Sequence, residues 1–177
     1  TAWLSWSGFR FAVSSTSNAS TSSSTLYEEK YFDRNSIMKI EIDIAKEEWE
    51  DMIANAMKEE FHEATVTVNG DVYPMVMIRP KGNSSLSTIA KSSFNEEGSL
   101  KRFSMKINFN ELNEAQTMAG LTQLNLNNSF ADPSFMREYL GYQIFEKMGV
   151  KVPAFCYANV YVNGEYFGLF LAVESIL

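Results

Sequence analysis

The sequence is short of the residues from which many enzyme and metal sites are built. In 177 residues there is one cysteine, Cys156, and one histidine, His62. A single cysteine excludes an intrachain disulfide, a cysteine-rich zinc site and a CxxC redox pair. Flanked by apolar residues in PAFCYANV, Cys156 reads as a buried structural thiol. His62 follows Phe61 at the polar end of a charged helical pattern and reads as a solvated surface residue. A histidine-based triad or metal site would need positioned partners that the sequence does not show. Neither GxxxxGK[ST] nor GxGxxG occurs, so a P-loop and a dinucleotide fingerprint are both absent. No run of about 18 apolar residues is present, which excludes a membrane-spanning helix in this chain. Positive charge is also in deficit. With 15 Lys and Arg against 22 Asp and Glu, the net charge is -7, the reverse of the basic excess that nucleic-acid binders use to neutralise phosphates.

What is present suits one globular core: 45% of the residues are hydrophobic and 14% aromatic, enough for one main domain. The opening stretch TAWLSWSGFRFAV is apolar but lacks the basic start and cleavage pattern of an intact signal peptide. Residues 14–25, SSTSNASTSSST, cannot bury enough apolar surface to offset the entropy of ordering. Residues 1–25 therefore read as an apolar start and flexible linker, and 26–177 as the folded unit. Linkers of this composition point to an exported, modular protein.

Within 26–177 the pattern alternates between strand and helix. SIMKIEIDI, Ser36 to Ile44, reads as a half-buried strand, and Glu47 to Phe61 as a helix, with Trp49, Met52, Ile53, Ala56, Met57 and Phe61 at helical spacing. Two hairpins turn at Asn69-Gly70 and Asn163-Gly164, because both residues of such a pair accept positive φ. RFSMKINFN, Arg102 to Asn110, supplies another strand. A second helix is marked by Asp132 as N-cap, Pro133 at its first position and Gly149 as its left-handed stop, with Met136, Leu140, Ile144 and Met148 as its apolar stripe. The expected fold is α+β: an antiparallel sheet of five or six strands with two main helices.

Three segments could carry chemistry. The loop RPKGNSS offers Arg79, Lys81, Gly82, Asn83, Ser84 and Ser85, Lys106 lies on the next strand, and Glu138 lies in the second helix. Phosphoryl transfer needs backbone amides and a cation around the phosphates and a carboxylate that holds the cation. The order of loop, strand lysine and helix glutamate matches a protein-kinase N-lobe. Each residue also has a plainer reading. Lys106 fits a solvent-facing strand lysine, Glu138 a carboxylate favoured in the first turns of a helix, and GNSS an ordinary turn.

The combination of R-x-K-G-N-S-S, L-N-N-x-x-x-D-P-S-x-M-R-E and V-N-G-E-Y-x-G-L-F, in that order, resembles the CotH family, the spore coat protein H kinases, from Tyr27 to Leu177. The resemblance implies an atypical protein-kinase-like fold that binds ATP with Mg or Mn and phosphorylates protein side chains. It implies that RPKGNSS covers the nucleotide, that Lys106 contacts the α and β phosphates and pairs with Glu138, and that LAVESI enters the hinge beside the adenine. Arg79 and Lys81 would be further phosphate contacts. In this family the catalytic and metal-binding aspartates come from a C-terminal lobe, so no catalytic residue is expected here. Asp132 and Asp33 are local carboxylates better explained as a helix cap and part of the leading segment.

Stopping at Leu177, the chain is expected to be the N-terminal, nucleotide-binding portion, inactive alone and prone to self-association through apolar residues exposed from Phe170 to Leu177. The implied partners are protein substrates, including coat or surface proteins, and the implied location is secreted or on a cell or spore surface. A non-catalytic structural, adhesion or scaffold module of a spore coat or extracellular enzyme complex is the competing expectation. Carbohydrate binding on Tyr157, Tyr161, Tyr166 and Phe167 is a third.

Overall fold

The structure is a computed structural model that describes residues 26–82, 84–91 and 102–176. The linker expected over 1–25 and the candidate residue Asn83 lie outside the described residues.

Leu26–Tyr31 forms α1, Met38–Asp43 β1, Lys46–Ala54 α2, His62–Val68 β2, Asp71–Lys81 β3 and Ser84–Lys91 α3. Ser104–Asn108 forms β4, Gln123–Asn127 β5, Arg137–Lys147 α4, Phe155–Val162 β6 and Glu165–Glu174 β7. The seven strands close into a barrel in the order β1-β2-β3-β4-β5-β7-β6. Every neighbouring pair is antiparallel except the one that closes the ring, where β1 runs parallel to β6 with Ile40 opposite Val160.

This corrects the expected α+β fold with two main helices and a kinase-like N-lobe. The mostly-β closed barrel follows from the strands' alternation. Ile40, Val66, Ile78, Ile107, Leu124, Leu126, Phe170 and Val160 all point inward and are fully buried, so one continuous core fills the ring. Pairing β1 with β6 removes the free edges that an open sheet would have to protect. The helices are short attachments, and no residue of α4 is fully buried.

The two hairpins turn where expected, with Asn69 and Asn163 at φ 49° and Gly70 and Gly164 also positive. Each asparagine side chain also accepts an amide from the neighbouring strand segment, Lys39 N at 2.8 Å for Asn69 and Ile44 N at 2.9 Å for Asn163. The helix expected over 47–61 is shorter. α2 ends at Ala54, a 3₁₀ turn spans Ala56–Lys58, and Glu59 at φ 52° turns the chain into β2. That change of period buries His62 at the start of a strand, correcting the solvated histidine expected from the sequence. Its Nδ1 lies 2.7 Å from Glu48 Oε2, so a carboxylate of α2 satisfies the buried ring.

Cys156 is fully buried, and burial pushes its thiol up to about 12. From Phe170 to Val173 the chain is buried as well, which corrects the expected apolar exposure there; only Ile176 of the described end is strongly exposed. The apolar surface lies instead on α4. Its sequence stripe of Met136, Leu140, Ile144 and Met148 faces outward, while Tyr139 and Tyr142 pack against Phe155. Aromatic anchors outcompeted the aliphatic stripe for the barrel wall.

Candidate phosphate-binding cleft

On β3, β4 and β5 the alternation that fills the core sends polar residues outward in rows. Arg79 stands opposite Lys106, which stands opposite Asn125. Two residues along, Lys81 stands opposite Ser104, and Asn127 continues the row on β5. The second row opens into a cleft of about 370 Å³, with Lys81, Gly82, Ser85, Asn127, Arg137 and Glu138 among its walls. That volume lies within the range of small-molecule sites.

A hydrogen-bonded chain crosses this cleft. Lys81 Nζ donates to Asn127 Oδ1 at 2.9 Å, Asn127 Nδ2 donates to Glu138 Oε1 at 2.7 Å, and Tyr142 OH donates to the same oxygen at 3.2 Å. Asn127 thus carries the lysine and the glutamate on one side chain. Burial pushes the Lys81 ammonium below its ordinary value; Lys106 and Arg79 push the same way, and Glu138 opposes them. Among the described residues its hydrogen-bond partner is a neutral amide, so an anion arriving in the cleft relieves an under-compensated cation.

Two backbone features face the same space. Gly82 has φ +120°, and a Cβ there would come 2.7 Å from Ser85 Oγ, so glycine is required on both conformational and steric grounds. The turn it permits starts α3, whose first amides lack intrahelical acceptors. α4 starts on the other side. Asp132 is not its N-cap, as expected from the sequence; the helix begins at Arg137 after Met136. Asp132 instead closes the preceding turn, accepting Ser134 Oγ at 2.6 Å and the Arg137 amide at 2.8 Å. Those bonds hold its carboxyl below the ordinary carboxylate range. The same loop has Ser129, Ala131 and Phe135 in the left-handed region, at about 1–2 kcal/mol each. Asn128 pins it: its Oδ1 accepts from Ser104 Oγ at 2.9 Å and its Nδ2 donates to the Arg102 carbonyl at 2.7 Å.

Among the expected site residues, Lys81, Gly82, Ser85 and Glu138 come together, and Ser84 opens α3 beside them. Arg79 and Lys106 do not line the cleft. Arg79 is held by Glu59 and lies over the Phe61 ring, and Lys106 makes no ion pair among the described residues. Sequence reasoning missed Asn127, Asn128 and Arg137. The signal was present in QLNLNN: asparagines are poor strand formers, and leucine alternation around them marks a strand that keeps polar groups for another purpose.

The first four residues of LAVESI, Leu171 to Glu174, form the end of β7. There Glu174 accepts Tyr27 OH at 2.5 Å and the Ala154 amide at 2.9 Å, a tie between elements. The aromatic set considered for carbohydrate forms no platform. Phe167 is buried, Tyr157 stacks on Tyr139, and Tyr161 meets Tyr166 at 63°. For the divalent metal that the resemblance implies, the described residues contain no group of three or more His, Cys, Asp or Glu placed to hold one, and Asp132 is committed to its turn. They do not fit a resident metal site. No described helix is long and apolar enough to cross a membrane.

Comparison with known proteins agrees with the sequence motifs. Over 63 residues the chain is 33% identical to the inner spore coat protein H of Bacillus subtilis (strain 168), a match covering 36% of this chain and 17% of that protein. The chain thus spans well under two thirds of that relative's length. A family model described as CotH kinase protein matches residues 78–176, which include the end of β3 with Lys81, the Gly82 turn, β5 and α4. With more than half of its length matched, the chain belongs to the CotH family.

Proposed function

We propose that the cleft binds the phosphates of ATP and that the chain is the nucleotide-binding part of a CotH protein kinase acting on protein side chains at a cell or spore surface. The observation that carries this reading is Lys81, half-buried, bonded among the described residues to the neutral Asn127 and held beside Glu138 by it. In this arrangement Lys81 and Arg137 meet the phosphate charge, the amides that open α3 donate to further oxygens, and Glu138 fixes Asn127 and thereby the lysine. Lys106, one row away, adds positive potential to the approach. The phosphoryl group would pass from ATP to a side-chain hydroxyl, with ADP leaving. The base that takes the hydroxyl proton is not assigned among the described residues. The surface location is supported by the spore coat name of the relative.

Calorimetric titration of ATP into the chain tests the binding step. A Kd of about 10–100 µM is expected, with Lys81→Met weakening it by about tenfold or more and Lys106→Met by less. In the full-length protein, phosphate transfer to protein should be lost with Lys81→Met. A folded chain that binds no ATP would sink the proposal and favour an assembly module of a coat.

A further inference from the structure

α4 presents two faces of unequal use. Tyr139 and Tyr142 hold one face to the barrel, and Arg34 clamps Glu146 at 2.7 and 3.0 Å. The opposite face carries Leu140, Ile144, Phe145 and Met148 in exposed positions, with Ile144 at 57% and Met148 at 69% exposure. Met136 before the helix and Val150 after it extend the stripe. Apolar residues spaced four apart and left in water mark a surface made to be covered.

The charges around this stripe say what kind of segment covers it. Arg137, Lys147 and Lys151 are exposed along it, and none of the three makes an ion pair among the described residues. The acidic residues of the helix are turned elsewhere: Glu138 is bonded to Asn127 in the cleft, and Glu146 is paired with Arg34. A chain of net charge -7 therefore sets three exposed cations along this apolar stripe. A second copy would suit this face poorly. An antiparallel pair centred on Ile144 sets Arg137 of one helix against the Lys147 to Lys151 end of the other. Residues 1–25 suit it no better, since their only charged side chain is Arg10.

Gly141 is a second, independent feature of this helix. It lies mid-helix, where glycine costs about 1 kcal/mol relative to alanine, yet a Cβ at that position meets nothing within 4 Å. Packing among the described residues gives no reason for a glycine there. Close approach of another backbone does.

We propose that the outward face of α4 docks an acidic amphipathic helix of another polypeptide, which places its apolar side on Leu140, Ile144 and Met148, its carboxylates on Arg137, Lys147 and Lys151, and its backbone nearest Gly141. This surface borders the cleft and shares Arg137 with it, while Leu140, Ile144, Lys147, Met148 and Lys151 lie outside the cleft's walls.

The test uses the full chain and a fluorescent synthetic helix of about four turns with leucines on one side and glutamates flanking them. Its counterpart has lysine for every glutamate. Anisotropy should give a Kd of about 10–100 µM for the glutamate peptide and one at least about tenfold weaker for the lysine peptide. Ile144→Glu should weaken the glutamate peptide by about tenfold or more, and so should Gly141→Leu, although leucine fills open space and favours the helix. Circular dichroism melts confirm that both variants fold. Equal binding of the two peptides, no binding at about 1 mM, or a Gly141→Leu variant that binds as well as the parent would overturn the proposal. So would self-association of the parent, seen by sedimentation and lost in Ile144→Glu.

Discussion

The outer wall of the barrel differs from one side to the other. Over β6 and β7 it is apolar: Phe155, Leu171 and Val173 are buried under Tyr139 and Tyr142 of α4. Over β3, β4 and β5 it is polar, with Arg79, Lys81, Ser104, Lys106, Asn125 and Asn127 directed outward. The inner faces of the same strands are uniformly apolar, so the difference has no bearing on how the core is filled. It decides where a helix can lie. α4 is fixed by its aromatics on the apolar side, and its first turn reaches across the border so that Glu138 meets Asn127. The site therefore forms at the seam of the two walls. The lesson is that the helix supplying the carboxylate is held chiefly by aromatic packing on the apolar wall, with Tyr142 serving both the packing and the bond to Glu138.

Removing the apolar anchor should break this arrangement most severely. Phe155→Ala deletes a buried ring that touches Tyr139, Tyr142 and the Arg34 guanidinium, and should cost about 3–5 kcal/mol in urea unfolding. ATP affinity should fall with it, because Glu138 loses its support. If stability falls while affinity holds, the two walls are independent and the comparison fails. A smaller loss, about 1–3 kcal/mol, is expected for Gly82→Ala, whose Cβ meets Ser85 Oγ in a backbone region that suits glycine. Thermal melts alongside phosphate binding would show both affected.

The subtlest effect is one of pH. The folded chain holds Lys81 below the ordinary lysine value of 10.5, so between its folded value and 10.5 the unfolded chain binds more protons. Stability from this group is thus lowest at neutral pH and recovers as pH rises through that window. Subtracting the unfolding free energy of Lys81→Met from that of the parent should give a difference that is flat near neutrality and climbs toward pH 10.5. A difference that stays flat throughout would mean that Lys81 is not desolvated.

Individual strands and turns were legible in the sequence, though the barrel was not, because alternation and Asn-Gly turns are local signals. β1 and both hairpins stand where IMKIEIDI, Asn69-Gly70 and Asn163-Gly164 put them. The closure was not legible: the parallel pairing of β1 with β6 joins residues about 120 positions apart and leaves no local mark. The expected α4 stripe misled for a related reason. Aliphatic spacing gives a helix's apolar face, but a barrel wall of Phe155 and Tyr157 favoured the tyrosines of the other face. The same limit applies to the cleft. RPKGNSS and Glu138 were readable as residue types, whereas the placement of Lys81 and not Lys106 on the cleft wall depends on strand register, which sets one row beside α4 and the other away from it.

Amide hydrogen exchange of the chain with and without saturating ATP tests the central claim most directly. The account predicts slowed exchange at the start of α3, around Ser85 and Leu86, and at the start of α4, around Arg137 and Glu138, with both changes absent in Lys81→Met. Protection confined to other strands, or unchanged in Lys81→Met, would place the nucleotide elsewhere and contradict the account.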